Sequence, residues 1–145
     1  MLTGEYKHTI DAKGRVFVPA KFRADLGQNV TISTIFGDYI GLYSDEEWTK
    51  HIEKLDALCA EGVMTEKMLR AVMRSAKSVE VDSQGRIIIC ETQREAVNLT
   101  KDVTFIGMKN HVEIWSDERL AAEDVGEDEI QDFKHLSRKL HLGLG

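Results

Sequence analysis

The chain has 145 residues, of which 42% are apolar and 30% charged, and its net charge is −6. This length has room for one ordinary domain or two very small ones, and the composition is typical of a folded globular protein. No segment approaches the ~20 apolar residues of a membrane helix, residues 1–14 lack a secretory signal pattern, and two cysteines are too few for a disulfide framework or a four-ligand zinc site. We therefore expect a soluble cytoplasmic protein.

The charge is unevenly distributed along the chain. Residues 5–23 contain five basic and two acidic side chains, whereas residues 117–132 contain eight acidic side chains and one basic side chain. Such asymmetry predicts a basic working surface and a separate acidic region. The negative net charge therefore does not by itself exclude nucleic-acid binding.

The chain contains an internal repeat. Three short segments recur in the same order: DAKGRVFV (11–18) with DSQGRIII (82–89), NVTI (29–32) with DVTF (102–105), and LYSDE (42–46) with IWSDE (114–118). We predict two copies of one unit at 5–48 and 77–120, a helical connector at 49–76 and an acidic helical tail at 121–145. Since so small a unit buries little core alone, we expect the copies to pack about a pseudo-two-fold axis.

Both copies have the same predicted elements. In the first copy these are a strand at 6–10, a turn at 11–14, a strand at 16–18, a helix at 19–25 and strands at 30–35 and 40–43. In the second copy they recur at 79–81, 82–85, 87–89, 91–97, 103–107 and 111–115. Alternating and β-branched apolar residues indicate the strands, while a proline and a following glycine begin and end the first helix.

The connector and the tail have helical periodicity. Ser44 and Glu47 form a capping-box pattern, and Gly62 separates two amphipathic helices. The apolar stripe of the first connector helix is Trp48, Ile52, Leu55 and Cys59. That of the second connector helix is Met64, Met68, Leu69, Val72 and Met73, and that of the tail is Ile130, Phe133, Leu136 and Leu140. We interpret the stripes as core or oligomer-interface packing, with an adaptable methionine-rich partner surface as the alternative.

Little in the sequence indicates catalysis. The histidines are scattered, and no zinc, calcium, nucleophile-elbow, phosphate-loop or dinucleotide motif occurs. We interpret Cys90 as a buried packing thiol rather than as a nucleophile. The prediction is therefore a protein that is not an enzyme, with no catalytic or metal-binding residue, no cofactor and no small-molecule substrate.

The twin D-x-x-G-R segments are the candidate site. Gly14 and Gly85 supply the positive φ of a tight turn, and Asp11 and Asp82 can bond backbone N–H groups across it. One interpretation is that each aspartate staples a hairpin by pairing with the arginine. The other is DNA binding, since arginine neutralises phosphates and bonds guanine O6 and N7. The candidate DNA-contacting residues are Lys7, Lys13, Arg15, Lys21, Arg23 and Arg86, of which Arg23 is equally consistent with a plain surface charge.

At these residues the chain resembles the MraZ family of bacterial regulators, which is related to AbrB-type swapped-hairpin DNA-binding proteins. The resemblance covers residues 1–120 and rests on GEY at 4–6, both D-x-x-x-R motifs, PAKFR at 19–23 and EIW at 113–115. It implies an α+β fold. The expected architecture is two tandem, pseudo-two-fold-related swapped-hairpin β-barrel repeats with peripheral helices, assembled into a homo-oligomeric ring.

The resemblance also implies a function. Family members are transcriptional regulators that bind short G-rich direct repeats upstream of the division and cell-wall gene cluster, which includes their own gene. The expected partner is therefore double-stranded promoter DNA, on the nucleoid, with contacts from Lys13, Arg15 and Arg86. A ring-forming structural or interaction protein, or an antitoxin-like module without selective promoter binding, is the alternative.

The second copy departs from the first at three positions. Gln84, Cys90 and Gln93 replace Lys13, Pro19 and Phe22, respectively. Because a positive charge is lost from the second turn, we expect the first copy to be the stronger phosphate-binding surface.

Overall fold

The computed structural model describes residues 1–143, which form eight strands and six helices. In chain order the elements are β1 (Glu5–Thr9), β2 (Arg15–Phe17), α1 (Ala20–Leu26), β3 (Asn29–Ser33), β4 (Ile40–Ser44), α2 (Asp45–Ala60), α3 (Glu66–Ser75), β5 (Lys77–Glu80), β6 (Arg86–Ile88), α4 (Glu91–Ala96), β7 (Asp102–Gly107), β8 (Val112–Ser116), α5 (Asp117–Glu123) and α6 (Glu127–Lys139). The predicted α+β class is confirmed, and the strands pair antiparallel. The last two residues of the predicted tail, 144 and 145, lie outside the described residues.

The two copies of the repeat are interlocked through their strands. Six strands form an antiparallel sheet in the order β1-β7-β8-β4-β3-β5, and β2 pairs with β6 in a separate two-stranded ribbon. Only the hairpins β3-β4 and β7-β8 lie within one copy; every other pairing joins one copy to the other. Exchanging the copies reproduces the same sheet order in reverse, so the strands are arranged with pseudo-two-fold symmetry.

Equivalent positions of the two copies build the core. The equivalent pairs are Val16 with Ile87, Val18 with Ile89, Ile32 with Phe105, and Leu42 with Ile114, and each of these side chains is at most 1% exposed. Burying one such side chain contributes about 1.5–3 kcal/mol. A shared core explains why both copies need the same inward alternation of apolar residues.

One polar replacement in the second copy is accommodated inside this core. Phe22 is 1% exposed and packs edge-to-face against Tyr6, with ring centroids 5.2 Å apart. Its counterpart Gln93 is 5% exposed, and Nε2 of Gln93 donates to the carbonyls of Ile32 at 3.1 Å and Ser75 at 3.2 Å. Because a buried amide without partners is unfavourable, these two bonds offset part of the cost, whereas Oε1 of Gln93 is buried without a hydrogen-bond partner among residues 1–143.

The expectation that Cys90 is a buried packing thiol is wrong. The strand alternation turns Ile89 fully inward, so Cys90 follows it at the N-cap of α4, partly exposed. Its Sγ lies 3.3 Å from Oγ1 of Thr92. Pro19 occupies the same cap position before α1, one residue earlier than the first helical position predicted for it.

The helical stripes differ in what they bury. Val72 of α3 is 7% exposed and joins the protein interior, whereas α2 and α6 contain no fully buried residue. Phe133 of α6 and Leu140 at the C-cap of this helix are more than half exposed. Packing into the core of the chain therefore does not explain the tail stripe. None of the helices formed by residues 1–143 combines the length and apolar character needed to cross a membrane.

Candidate nucleic-acid interface

The first D-x-x-G-R segment folds into a turn organised by one aspartate. Oδ1 of Asp11 accepts hydrogen bonds from the backbone N–H groups of Lys13 and Arg15, both at 2.9 Å, and Oδ2 accepts from Nε of Arg15 at 2.6 Å. The N–H of Gly14 donates to the Asp11 carbonyl at 3.0 Å, with Gly14 at φ +84°. The Asp–Arg staple considered from the sequence is therefore present.

The second segment has the same geometry. Oδ1 of Asp82 accepts from the N–H groups of Gln84 and Arg86 at 2.9 Å, and Oδ2 accepts from Nε of Arg86 at 2.9 Å. Gly85 also adopts φ +84°. Replacing lysine by glutamine in the second turn leaves this geometry unchanged, because only the backbone of that residue takes part.

Each arginine is held by one nitrogen and leaves the rest of its guanidinium available. Arg15 and Arg86 use Nε for the aspartate, and within residues 1–143 their Nη groups have no hydrogen-bond partner. The Arg15 and Arg86 side chains are 34% and 23% exposed. Stapling the hairpin and contacting a ligand are therefore compatible roles for the same side chain.

The ribbon of β2 and β6 places the two turns on one surface. In its register Arg15 lies opposite Ile88, and Phe17 lies opposite Arg86. Val16 and its partner Ile87 point into the core, so the other four side chains form the outer face. We call Arg15, Phe17, Arg86 and Ile88 the ribbon face. Within it, Cζ of Arg86 lies 5.9 Å from the centre of the Phe17 ring, close enough for a cation–π contact.

The backbone next to each turn is bonded to the other copy. The N–H of Val18 donates to the carbonyl of Gly85 at 2.8 Å, and the N–H of Ile89 donates to the carbonyl of Gly14 at 2.8 Å. Helix α1 therefore begins beside the second turn, and α4 begins beside the first.

Two further arginines cross between the copies in the same way. Nε of Arg23 donates to the Val18 carbonyl at 3.2 Å, and its guanidinium lies against Gly85, where a Cβ would collide with it. Nε of Arg94 donates to the Ile89 carbonyl at 3.0 Å and lies over Gly14. Arg23 is thus more than a plain surface charge, because it packs against the turn of the opposite copy.

The crossing distributes the basic side chains over two composite halves. Each half combines the turn of one copy with the helix of the other, and each contains three basic residues: Lys13, Arg15 and Arg94 in one half, and Arg86, Lys21 and Arg23 in the other. Losing the lysine from the second turn therefore does not leave its half poorer in basic residues, because the neighbouring helix carries Lys21.

Sequence reasoning missed one residue and included another that lies elsewhere. Arg94 is not among the predicted residues, although it stands 71 positions after Arg23, the same offset as between the two turns. Lys7 lies in β1 of the six-stranded sheet, with Nζ 3.5 Å from Oδ2 of Asp117 and 3.5 Å from Oγ1 of Thr104. The structure thus brings five of the six predicted residues to the turns and helix starts beside the ribbon.

The turn carboxylates are ionised in the folded protein. Hydrogen bonding from the Arg15 backbone, the largest influence, holds the pKa of Asp11 below its usual value, and the Arg15 side chain lowers it further. The pKa of Asp82 is lowered in the same way by Arg86. Each carboxylate therefore stays negative at neutral pH and keeps its arginine oriented.

A cavity lies away from the ribbon, and the described residues that line it include none of β2 or β6. It has a volume of about 430 Å³ and is lined by Tyr43, Glu47, Lys50, His51, Lys54, Asn110 and His111. Lys50 is already paired with Glu46 and Glu47. No group of three metal-ligating side chains is placed to hold an ion within the described residues 1–143.

Comparison with known proteins gives a consistent result over most of the chain. Residues 1–70 and 72–123 match a family model described as MraZ protein and likened to antitoxins. The "Transcriptional regulator MraZ" of Caldanaerobacter subterraneus subsp. tengcongensis is 42% identical over 136 residues, which are 91% of this chain and 95% of that protein. A protein of the same name from Caldicellulosiruptor saccharolyticus is 41% identical over 145 residues, 99% of this chain and 100% of that protein.

Proposed function

Because this chain belongs to the MraZ family, we propose that it is a sequence-specific DNA-binding regulator of transcription. The observation that carries the proposal is the ribbon face, where two arginines project from stapled turns with Nη groups that have no hydrogen-bond partner among residues 1–143. A two-stranded ribbon fits the major groove, and a guanidinium can bond guanine O6 and N7 together. The relatives named as transcriptional regulators support the same role.

Different basic residues have different roles in this proposal. Arg15 and Arg86 contact base edges, while Lys13 and Lys21 neutralise phosphates on either side. Arg23 and Arg94 hold the turns of the opposite copies. The pairing of each aspartate with its arginine supports the base-contacting role, because it limits the rotation of the long side chain before DNA is bound.

The proposed target follows from the family resemblance. The DNA consists of short G-rich direct repeats upstream of the division and cell-wall gene cluster that includes this protein's own gene, so the protein acts on the nucleoid. Guanine-rich boxes match a surface whose base-contacting side chains are arginines. This role involves neither a cofactor nor a small-molecule substrate, and the protein is not an enzyme.

We propose, in addition, that the interlocked copies are AbrB-like swapped hairpins in a ring-shaped homo-oligomer. Units 5–48 and 77–120 exchange strands, which supports this architecture. The exposed Phe133 and Leu140 supply apolar surface for contacts between subunits. A ring suits repeated boxes, because subunits on adjacent boxes raise each other's effective concentration.

The test is fluorescence anisotropy with a duplex carrying the repeats and with a shuffled duplex, over a salt series. We expect the wild type to prefer the repeats and Arg15→Ala to lose about 1–3 kcal/mol of that preference. Arg138→Ala, which removes an exposed arginine of α6, is the matched control and should bind like the wild type. Equal binding of both duplexes by the wild type would contradict the proposal.

A second candidate function has one observation in its favour. The matching family model is likened to antitoxins, so the ring or the acidic tail could bind a protein partner without selective promoter binding. The same salt series separates the two functions, because a protein-binding scaffold has no steep salt dependence on DNA. A slope that does not change when Lys13 is replaced by alanine would favour this second function.

A further inference from the structure

Two large apolar side chains occupy the middle of the basic surface. Phe17 is 46% exposed and Ile88 is 56% exposed, although their strand neighbours Val16 and Ile87 are each 1% exposed. Exposed apolar groups at the centre of a charged surface are typical of contact sites. These two side chains are the apolar half of the ribbon face.

Intramolecular packing accounts for only part of this arrangement. Phe17 lies beneath the guanidinium of Arg86, at 5.9 Å, and so helps to orient it. Ile88 lies opposite Arg15 in the register. Because isoleucine has no aromatic ring, it cannot make the cation–π contact with Arg15 that Phe17 makes with Arg86. Neither Phe17 nor Ile88 belongs to the buried core cluster. Both pseudo-symmetric positions, 17 and 88, therefore carry an exposed apolar side chain that packing within the chain does not explain. An apolar group of a ligand would explain it.

We propose that Phe17 and Ile88 contact the C5-methyl groups of thymines, so that the ribbon face recognises thymine as well as guanine. This inference rests on the proposed DNA-binding function. In the major groove, the thymine methyl is the apolar group that a base pair presents, and aromatic or aliphatic side chains pack against it. The bases contacted by arginine and by its apolar neighbour are then close together in the same box.

The spacing of the ribbon supports this assignment. Side chains directly opposite in an antiparallel pair have Cβ atoms about 4.5–5.5 Å apart, and successive bases along a strand rise by about 3.4 Å. Arg86 with Phe17, and Arg15 with Ile88, therefore cover one base and one of its near neighbours. The two pairs are related by the pseudo-two-fold axis of the ribbon, so the box contains two such thymines.

The test is a uracil scan of a duplex that carries one G-rich box from upstream of this protein's own gene. Each thymine in the box and its flanks, on either strand, is replaced in turn by deoxyuridine, which lacks only the methyl group. We expect the affinity of the wild type to fall about fourfold at each of two positions, the effect of one buried methyl. A single box removes the contribution of neighbouring subunits on adjacent boxes.

Variants then assign each methyl to a side chain. Phe17→Ala should bind the thymine and uracil duplexes equally at one position and retain the difference at the other, and Ile88→Ala should do the reverse. Phe17→Leu, which keeps an apolar contact, should retain part of the discrimination. Ile35→Ala removes an apolar side chain of similar exposure, 42% against 46% for Phe17, from the loop between β3 and β4 and should retain both differences.

The outcomes separate this inference from the proposed function. Selective binding with no sensitivity to uracil at any position would overturn the thymine contact and leave the regulator intact. Sensitivity that survives both Phe17→Ala and Ile88→Ala would also overturn it, because another group would then contact the methyl. Equal binding of box and shuffled duplex by the wild type would remove the proposed function and this inference with it.

Discussion

At the residue scale, each turn depends on an aspartate that accepts hydrogen bonds and on a glycine that leaves space for the opposite copy. Asp11 accepts three hydrogen bonds, one from the backbone N–H of Lys13 and two from the backbone N–H and Nε of Arg15. Gly14 adopts the left-handed φ of +84° that closes the turn. A Cβ on Gly14 would lie 2.5 Å from the carbonyl oxygen of Ile89, a backbone atom of the opposite copy. The glycine is therefore required both by its conformation and by the close approach of the second copy.

The glycines with positive φ differ in how much space surrounds them, and this predicts an order of stability. Gly27→Ala should lower the free energy of unfolding by about 1–2 kcal/mol, the cost of a positive φ for alanine. No steric cost is added, since nothing lies within 4 Å of the Cβ position. Gly14→Ala should be more destabilising, because the Ile89 backbone must also move. Gly85→Ala should fall between them, since its Cβ meets the movable guanidinium of Arg23.

Urea unfolding followed by circular dichroism measures this order. Gly143 caps no helix N-terminus, has no positive φ and has its nearest neighbour 4.0 Å from the Cβ position, so Gly143→Ala controls for the added methyl group. Equal destabilisation by Gly14→Ala and Gly27→Ala would show that the backbone of the second copy does not constrain the first turn.

At the element scale, each short helix supports the turn of the other copy. Helix α1 leaves β2 beside the second turn and places Arg23 against Gly85, and α4 places Arg94 against Gly14 in the symmetric position. The bond from Nε of each arginine to a carbonyl at the end of the ribbon keeps the guanidinium in place. Helix and turn therefore behave as one unit although they belong to different copies.

This cross-copy support predicts a specific energetic coupling. Arg23→Ala and Arg86→Ala should be non-additive in their effects on DNA affinity, by about 0.5–3 kcal/mol, because both act on the second turn. Arg23→Ala and Arg15→Ala should be additive in their effects on DNA affinity, although both residues belong to the first copy. The measurement is a pair of double-mutant cycles on one duplex. Stronger coupling of Arg23 to Arg15 than to Arg86 would contradict the composite halves.

At the scale of the whole molecule, neither copy is a complete folding unit. The first strand of each copy pairs with the third strand of the other, and the ribbon needs one strand from each. Residues from both copies contribute to one hydrophobic cluster. The fold, and the DNA surface proposed on it, therefore require both copies.

Separating the copies tests this dependence. The α2–α3 connection contains Gly62, which is exposed and has no neighbour within 4 Å of its Cβ position, so fragments 1–62 and 63–145 divide the chain there. We expect neither fragment to fold as a monomer, because each lacks its strand partners, and the mixture to regain the circular dichroism of the intact protein. A fragment that is folded, monomeric and independent of concentration would contradict the interlocked arrangement.

The local pattern of the sequence was sufficient to predict the elements that the two copies share and the turn chemistry, but not α5. Alternation placed Val16 and Ile87 inside, the D-x-x-G spacing predicted both tight turns, and the offset of 71 residues related the copies. These features depend on contacts between residues that are close in the chain, so the sequence determined them by itself.

Only the tertiary structure decided which side chains from distant segments lie together. The strand exchange brings α1 to the second turn and α4 to the first, which groups Lys21 with Arg86 and separates Lys7 from both turns. It also leaves Cys90 partly exposed at the N-cap of α4 and Phe17 exposed beneath Arg86. The repeat specified two equivalent units but not which turn each helix would contact, because that choice depends on strand pairing between residues about 70 positions apart in the chain.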